Sequence, residues 1–433
     1  MVYFLCRQKT SCALFKTMNL FRFATANRRV THPQFHRQFL TRVAMAASVS
    51  LLSACGGSGA SSNAGSATGV DTGMSAAAQV GQKIFADVTL SASGKMSCAT
   101  CHDPANAHAQ TNTLSVQLGG ANLDVPGTRA VPSLRYLDKT PAFAFGDDGK
   151  PVGGFTRDGK APNLAVQAET PFMAAHEMAN NGRADVVAKL QKASYVNEFK
   201  QAFGADIFSN TDTAFERALF ALQQYQLEDT EFHPYDSKYD RFLAGKATLS
   251  DSELRGLALF NNPTKGNCIA CHISTKGKDG SAPLFTDFTF DNLGVPRNTL
   301  IPATANADNF DMGVCGPDRA DLAKRTEFCG AFKVPTLRNV ATRKVFFHNG
   351  KFNNLRDVVS FYVRRDTNPE EWFPLAVDGS VLKFNDLPAA FASNVNVKEV
   401  PYNRQPGMAA ALTANEVNDV VSFLSTLTDG YKP

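Results

Sequence analysis

A mainly α chain, built as two helical units with long ordered loops between them, is predicted from three observations. The pattern Cys-x-x-Cys-His occurs twice, at Cys98–His102 and Cys268–His272, about 170 residues apart. Helix-start and helix-period signals precede each copy and follow the second. The stretches 138–163 and 275–332 are rich in Gly, Pro and Asp and too long for idle connectors. The 433 residues, 43% hydrophobic and 19% charged, are globular in composition and allow two to three domains.

Residues 1–54 read as an export signal. They hold eight basic residues and no acid. Arg37 and Arg42 precede the apolar run Val43–Leu52, which is too short to span a bilayer. Taking those eight from the 44 basic residues leaves 36 against 40 acidic ones, so the mature charge of −4 argues against nucleic acid as a partner. Leu52-Ser-Ala-Cys55 is similar to a bacterial lipobox, so Cys55 is expected to be a lipidation site and residues 55–71 a flexible tether, the alternative being an ordinary cleaved signal with Cys55 incidental. The true start is expected near Met18, which sets Cys6 and Cys12 aside.

The elements follow in order. Gln79–Phe85 places Val80, Ile84 and Phe85 on one helical face and leads into the first motif. Two more helical patterns lie near 184–203 and 213–227. Ser250-Asp-Ser-Glu253 is a capping box opening a helix with Leu254, Leu257 and Phe260 inward, and the second motif follows. Thr413-Ala-Asn-Glu416 opens the last helix, with Val417, Val420, Val421, Leu424 and Leu427 on one broad face. The expected division is 72–240 and 246–430.

Cys-x-x-Cys-His is the attachment signature of c-type haem: two thiols bond the vinyl groups and the histidine is the proximal iron ligand. Covalent attachment is therefore expected at Cys98 and Cys101 and at Cys268 and Cys271, with His102 and His272 on the two irons. A shared zinc leaves both histidines unexplained, and a thioredoxin-like pair lacks its βαβ context. Cys315 and Cys329 remain, and in an oxidising compartment a disulfide between them is the plain expectation. Each unit is thus expected to be a cytochrome c-like haem domain.

Three blocks then resemble the bacterial dihaem cytochrome c peroxidases, including MauG-like enzymes, over about residues 72–430. They are the spaced pair of motifs; Asp158-Gly-Lys-Ala161 with Gln167-Ala168, Pro171 and Glu177-Met178; and Phe332-Lys-Val-Pro335-Thr-Leu-Arg-Asn339 with Phe347-His348-Asn349-Gly350 and Phe361-Tyr362. The resemblance implies a peroxide site at the N-terminal haem and an electron store at the C-terminal one. It assigns Glu177 and Gln167 to the distal pocket, where a carboxylate can move a proton between the two peroxide oxygens. Pro171 is expected to shape that pocket. Members with a removable distal histidine carry it near Asn122; no histidine lies between His108 and His176, so the first iron is expected to be open. His108 and His233 are taken as surface residues. Tyr362 falls where methionine-ligated members place methionine, which is the MauG-like pattern.

Two positions depart from the family. Arg157 stands where an inter-haem tryptophan is usual, and the sole tryptophan is Trp372. Phe155, direct haem-to-haem tunnelling, or tuning by Arg157 must then serve. Ala130 stands at the side-chain position of an interdomain calcium, whose carbonyl positions match Arg343 and Val345; calcium is left open. His348 is expected to hydrogen-bond near the second haem or to stabilise its turn. The function implied is a periplasmic, lipid-anchored enzyme using H2O2. It would serve either as a peroxidase fed by a small cytochrome or cupredoxin or as an oxidase of a partner protein. A non-catalytic electron-transfer cytochrome is the alternative.

Overall fold

The computed structural model describes residues 73–433. The predicted signal, tether and Cys55 lie outside the described residues. No helix among the described residues is long and apolar enough to cross a membrane.

The N-terminal half is helical. Helix α1 (Ala76–Ala86) is capped by Ser75, whose hydroxyl accepts from Ala78 N at 3.1 Å. The first haem motif forms the short helix α2 (Cys98–Cys101). After two hairpins come α3 (Leu164–Met173), α4 (Arg183–Leu190), α5 (Val196–Phe203) and α6 (Thr211–Glu228). The single helical pattern expected over 184–203 is thus two helices joined by a turn. Val80, Ile84, Phe85, Phe172, Phe199, Phe215 and Leu222 meet in one apolar core. Helix α1 lies so close to α6 that a Cβ on Gly81 would sit 2.0 Å from Ala221 O.

The C-terminal half repeats this device. Helix α7 (Lys238–Leu243) packs here through Tyr239, whose amide donates to Thr426 O at 3.0 Å. Helix α8 (Asp251–Asn261) has the Ser250–Glu253 capping box, and α9 (Pro302–Ala305) is one turn. Helix α10 (Leu355–Arg364) precedes α11 (Ala414–Ser425), which the Thr413–Glu416 box opens. A Cβ on Gly256 of α8 would sit 2.0 Å from Asp419 O of α11. This close seam corrects two details. Gly256 and Phe260 face the core, while Leu254 is 43% exposed. On α11 the face is completed by the fully buried Phe423, and Val421 is only half-buried.

Strands are two-residue antiparallel pairs: β1 (Leu118–Gly119) with β2 (Val125–Pro126), β3 (Ala144–Phe145) with β4 (Pro151–Val152), and β5 (Phe290–Asp291) with β6 (Phe332–Lys333). The fold is therefore mainly α. The long loops are ordered by charge: Arg129 bonds Asp158 at 2.7 Å and Asp311 at 2.6 Å, linking segments from both halves. Cys315 and Cys329, both buried, are bonded with Sγ–Sγ 1.94 Å.

Candidate haem sites

One cavity of about 700 Å³ is lined by both Cys-x-x-Cys-His motifs. Each motif is a tight turn: the amides of His102 and His272 donate to Cys98 O at 2.9 Å and Cys268 O at 2.8 Å. His102 Nδ1 lies 3.3 Å from His108 O, and His272 Nδ1 lies 2.8 Å from Phe285 O. A carbonyl only accepts, so each Nδ1 carries the proton and each Nε2 keeps its lone pair. Burial holds both imidazoles below the usual range, His102 at about 4, so each ring is neutral near pH 7. Burial also pushes the Cys98 and Cys268 thiols up to about 12, the mark of apolar surroundings. A neutral imidazole with a free Nε2 beside two apolar thiols fits a covalently held haem, and this chain builds that set twice.

A second repeat fixes these carbonyls. Pro132-Ser-Leu-Arg135 and Pro335-Thr-Leu-Arg338 place their hydroxyls alike. Ser133 Oγ donates to Ala107 O at 2.6 Å, and Thr336 Oγ1 donates to Leu284 O at 2.6 Å. Each bond pins the residue just before the carbonyl that faces the histidine. Arg135 bonds Asp429 at 2.9 Å and Arg338 bonds Asp240 at 2.8 Å, anchoring the segments to the C-terminal half.

Glu177 sits on the turn that ends α3. Its amide donates to Ala174 O at 2.9 Å, and Met178 N donates to Pro171 O at 3.0 Å. The β1–β2 hairpin holds this turn, with Gly120 N on Glu177 O at 2.8 Å. A Cβ on Gly119 would sit 2.2 Å from His176 O and 2.8 Å from Glu177 Cα. Glu177 Oε2 is buried without a hydrogen-bond partner. Burial pushes its carboxyl above the usual range, against the opposing pull of His176 and Lys160. Gln167, half-buried on α3, lines the same cavity, as does Pro171, one turn later. Having no amide proton, Pro171 leaves Gln167 O without its helical donor and brings α3 near its end.

Tyr362 lines the cavity from α10, a helix capped by Asn354 Oδ1 accepting from Arg356 N at 2.8 Å. Its ring stacks on Phe347 at 5.9 Å between centroids and lies 5.9 Å from the ring of Tyr402. Burial raises its phenol, and Asp291 and the thiols of Cys268 and Cys271 add to this; Arg365 acts the other way.

A family profile described as di-haem cytochrome c peroxidase matches residues 75–248. The methylamine utilization protein MauG of Paracoccus denitrificans is 34% identical over 374 residues, covering 83% of this chain and 90% of MauG. The cytochrome-c peroxidase IdrP1 of a Pseudomonas species is 27% identical, covering 66% and 71%. This chain belongs to the MauG-like dihaem peroxidase family. Among solved structures, the diheme peroxidase BthA of Burkholderia thailandensis superposes with TM-score 0.75 at 38% identity, covering 82% of this chain and 86% of that one.

Within this dihaem family the two motifs take on their meaning together. Cys98, Cys101, His102, Gln167, Pro171 and Glu177 all line the cavity. Cys268, Cys271, His272 and Tyr362 line it too. His108 is not on the surface. Its ring is fully buried, stacked at 4.0 Å on Phe232, and its carbonyl faces His102. It occupies the place that Phe285 holds in the other half; both have left-handed backbone, φ 52° and 54°. His233 is half-buried, with Nε2 3.0 Å from Leu227 O. Asn122 is exposed in the β1–β2 turn. His348 is buried between Asp386, 3.1 Å from Nε2, and the stacked ring of Phe332 at 3.8 Å. Its carbonyl accepts from Ala130 N at 2.7 Å, so it braces the loop that leads into Pro132-Ser-Leu-Arg135. Sequence reasoning missed Ser133, Thr336 and Gly119. The repeated Pro-Ser/Thr-Leu-Arg was the available signal for the first two; nothing in the sequence marks Gly119.

Proposed function

We propose that this protein is an H2O2-dependent dihaem enzyme whose first seat reacts with peroxide and whose second seat holds an oxidising equivalent for an outside donor. One observation carries the reading: Glu177 Oε2 is the only partnerless buried carboxylate oxygen in the cavity lining among the described residues. A carboxylate left without a partner is costly, and such perturbed groups mark working sites.

His102 and His272 would hold the irons through Nε2, and the four motif thiols would anchor the two haems within two cytochrome c-like domains. When bound, the first haem supplies the iron at which H2O2 is reduced by two electrons to water. Glu177 takes the proton from the near oxygen of peroxide and returns it to the leaving oxygen, and its raised pKa suits both transfers. Gln167 donates its amide to the peroxide and orients it. Pro171 and the β1–β2 hairpin hold Glu177 over that site.

Tyr362 would hold the second iron. A phenolate is a hard anionic ligand and favours the oxidised states of the metal it holds. That tilts the enzyme toward oxidising a side chain on a partner protein, as a MauG-like enzyme would, over drawing electrons from a small cytochrome or cupredoxin. The mature protein works in the periplasm, tethered through a lipid on Cys55. The test is to mix fully ferric holoprotein with H2O2, without prior reduction, and follow both haems by EPR. Loss of both ferric signals is expected. Unchanged signals would leave only the non-catalytic electron-transfer reading.

A further inference from the structure

Arg157 lies between the two proximal segments. Its carbonyl accepts from Lys333 N at 2.8 Å, two residues before Pro335. Its guanidinium donates Nε and Nη2 to Ala130 O at 3.1 and 2.9 Å, two residues before Pro132. Beside it Arg343 donates Nη2 to Val131 O at 2.7 Å, and Lys333 Nζ bonds Gly154 O. All three side chains line the cavity. None has a carboxylate within ion-pair distance among the described residues, whereas neighbouring Arg129 has both Asp158 and Asp311. Burial pushes Arg157 down to about 9, Arg343 to about 10 and Lys333 to about 8.

Buried cations without counter-charge are unfavourable unless something brings the opposite charge. The nearest carboxylates, Asp311 toward Arg157 and Asp158 toward Lys333, act only at a distance and are already paired with Arg129, while each haem carries two propionate carboxylates. The calcium that the resemblance would place at this point does not fit. Ala130 has no side-chain oxygen, and its carbonyl is engaged by Arg157. The nearby carboxylates Asp158 and Asp311 are held by Arg129, and two guanidinium groups with no carboxylate of their own in contact repel a divalent ion. Calcium needs six to eight oxygen ligands.

We propose that Arg157, Arg343 and Lys333 form a cationic partition that binds the haem carboxylates of both seats and takes the place of an interdomain calcium ion. The proposal rests on two haems being bound and not on which one meets peroxide.

The experiment uses purified holoprotein. Elemental analysis should find far less than one calcium per chain, and EGTA should leave both ferric EPR signals and both midpoint potentials unchanged. Arg157→Gln removes a positive charge beside the carboxylates and should lower both potentials, with two haems retained and Arg157→Lys restoring most of the shift. Should Arg157→Gln fail to fold, Lys333→Met is read the same way. Two haems with one calcium per chain, whose removal changes the EPR signals, would overturn the proposal alone. So would charge-removing variants that move neither potential. Fewer than two haems in the wild type would overturn it together with the dihaem reading.

Discussion

Around His102 and around His272 the chain builds the same near side from different residues. A Cys-x-x-Cys turn presents the ring, a carbonyl from a left-handed residue accepts the hydrogen bond of Nδ1–H, and a Ser or Thr hydroxyl pins the residue before it. A glycine lets the flanking helices touch in both halves. The far sides share nothing. Glu177 and Gln167 face the cavity in the first half, Tyr362 in the second. In the function proposed above, a duplicated frame would hold two irons of opposite duty, with the division of labour set by residues outside the frame.

The bluntest way to break the comparison is to remove one covalent anchor. Cys98→Ala and Cys268→Ala should each lose one of two haems in the pyridine haemochrome assay, with the other retained. Loss of both from either change would mean that the halves are not independent frames.

Gly119→Ala sharpens the first far side. The added Cβ has no room against the Glu177 turn, and a displacement of about 1 Å can cost about a hundredfold in rate. Peroxide reduction should slow by roughly ten- to a hundredfold at unchanged haem content, measured by stopped flow. Tyr362→Met alters the second far side only. The potential of the second haem should rise by about 0.1 V or more, within the roughly 0.8 V that axial ligands span. The bimolecular reaction with peroxide at the first haem should change little. Potentiometry and stopped flow check the two halves of that statement.

Smaller effects test the shared frame and the proton transfer. Gly81→Ala and Gly256→Ala should each cost about 1–3 kcal/mol from overpacking, read as similar falls in Tm. Their equality is the point; a loss in one half only would end the analogy. The rate with peroxide should fall as pH is lowered, because protonation removes the base. Since burial raises the Glu177 carboxyl, the fall should be centred above the usual glutamate value of about 4.3.

The parts readable from sequence are those with local signals. The capping boxes at Ser250 and Thr413 predict α8 and α11, and the two motifs predict their turns. Contacts between distant segments leave no such mark. His108 looks like a surface histidine until Phe232 and Phe85 close around it. Leu254 fits the helical period, yet α11 approaches through Gly256 and leaves Leu254 outside. Glu177 and Gln167 are legible only through the family's block, because their spacing alone fits an ordinary helix and turn. The orphaned carboxylate oxygen is visible only in three dimensions.

The central claim is that the two seats differ in duty because Glu177 serves only the first. Its most direct test is the stopped-flow rate of H2O2 with fully ferric Glu177→Gln holoprotein carrying both haems. The account predicts a loss of about 10²- to 10⁴-fold with the potential of the second haem unaltered. A rate equal to that of the wild type would contradict it.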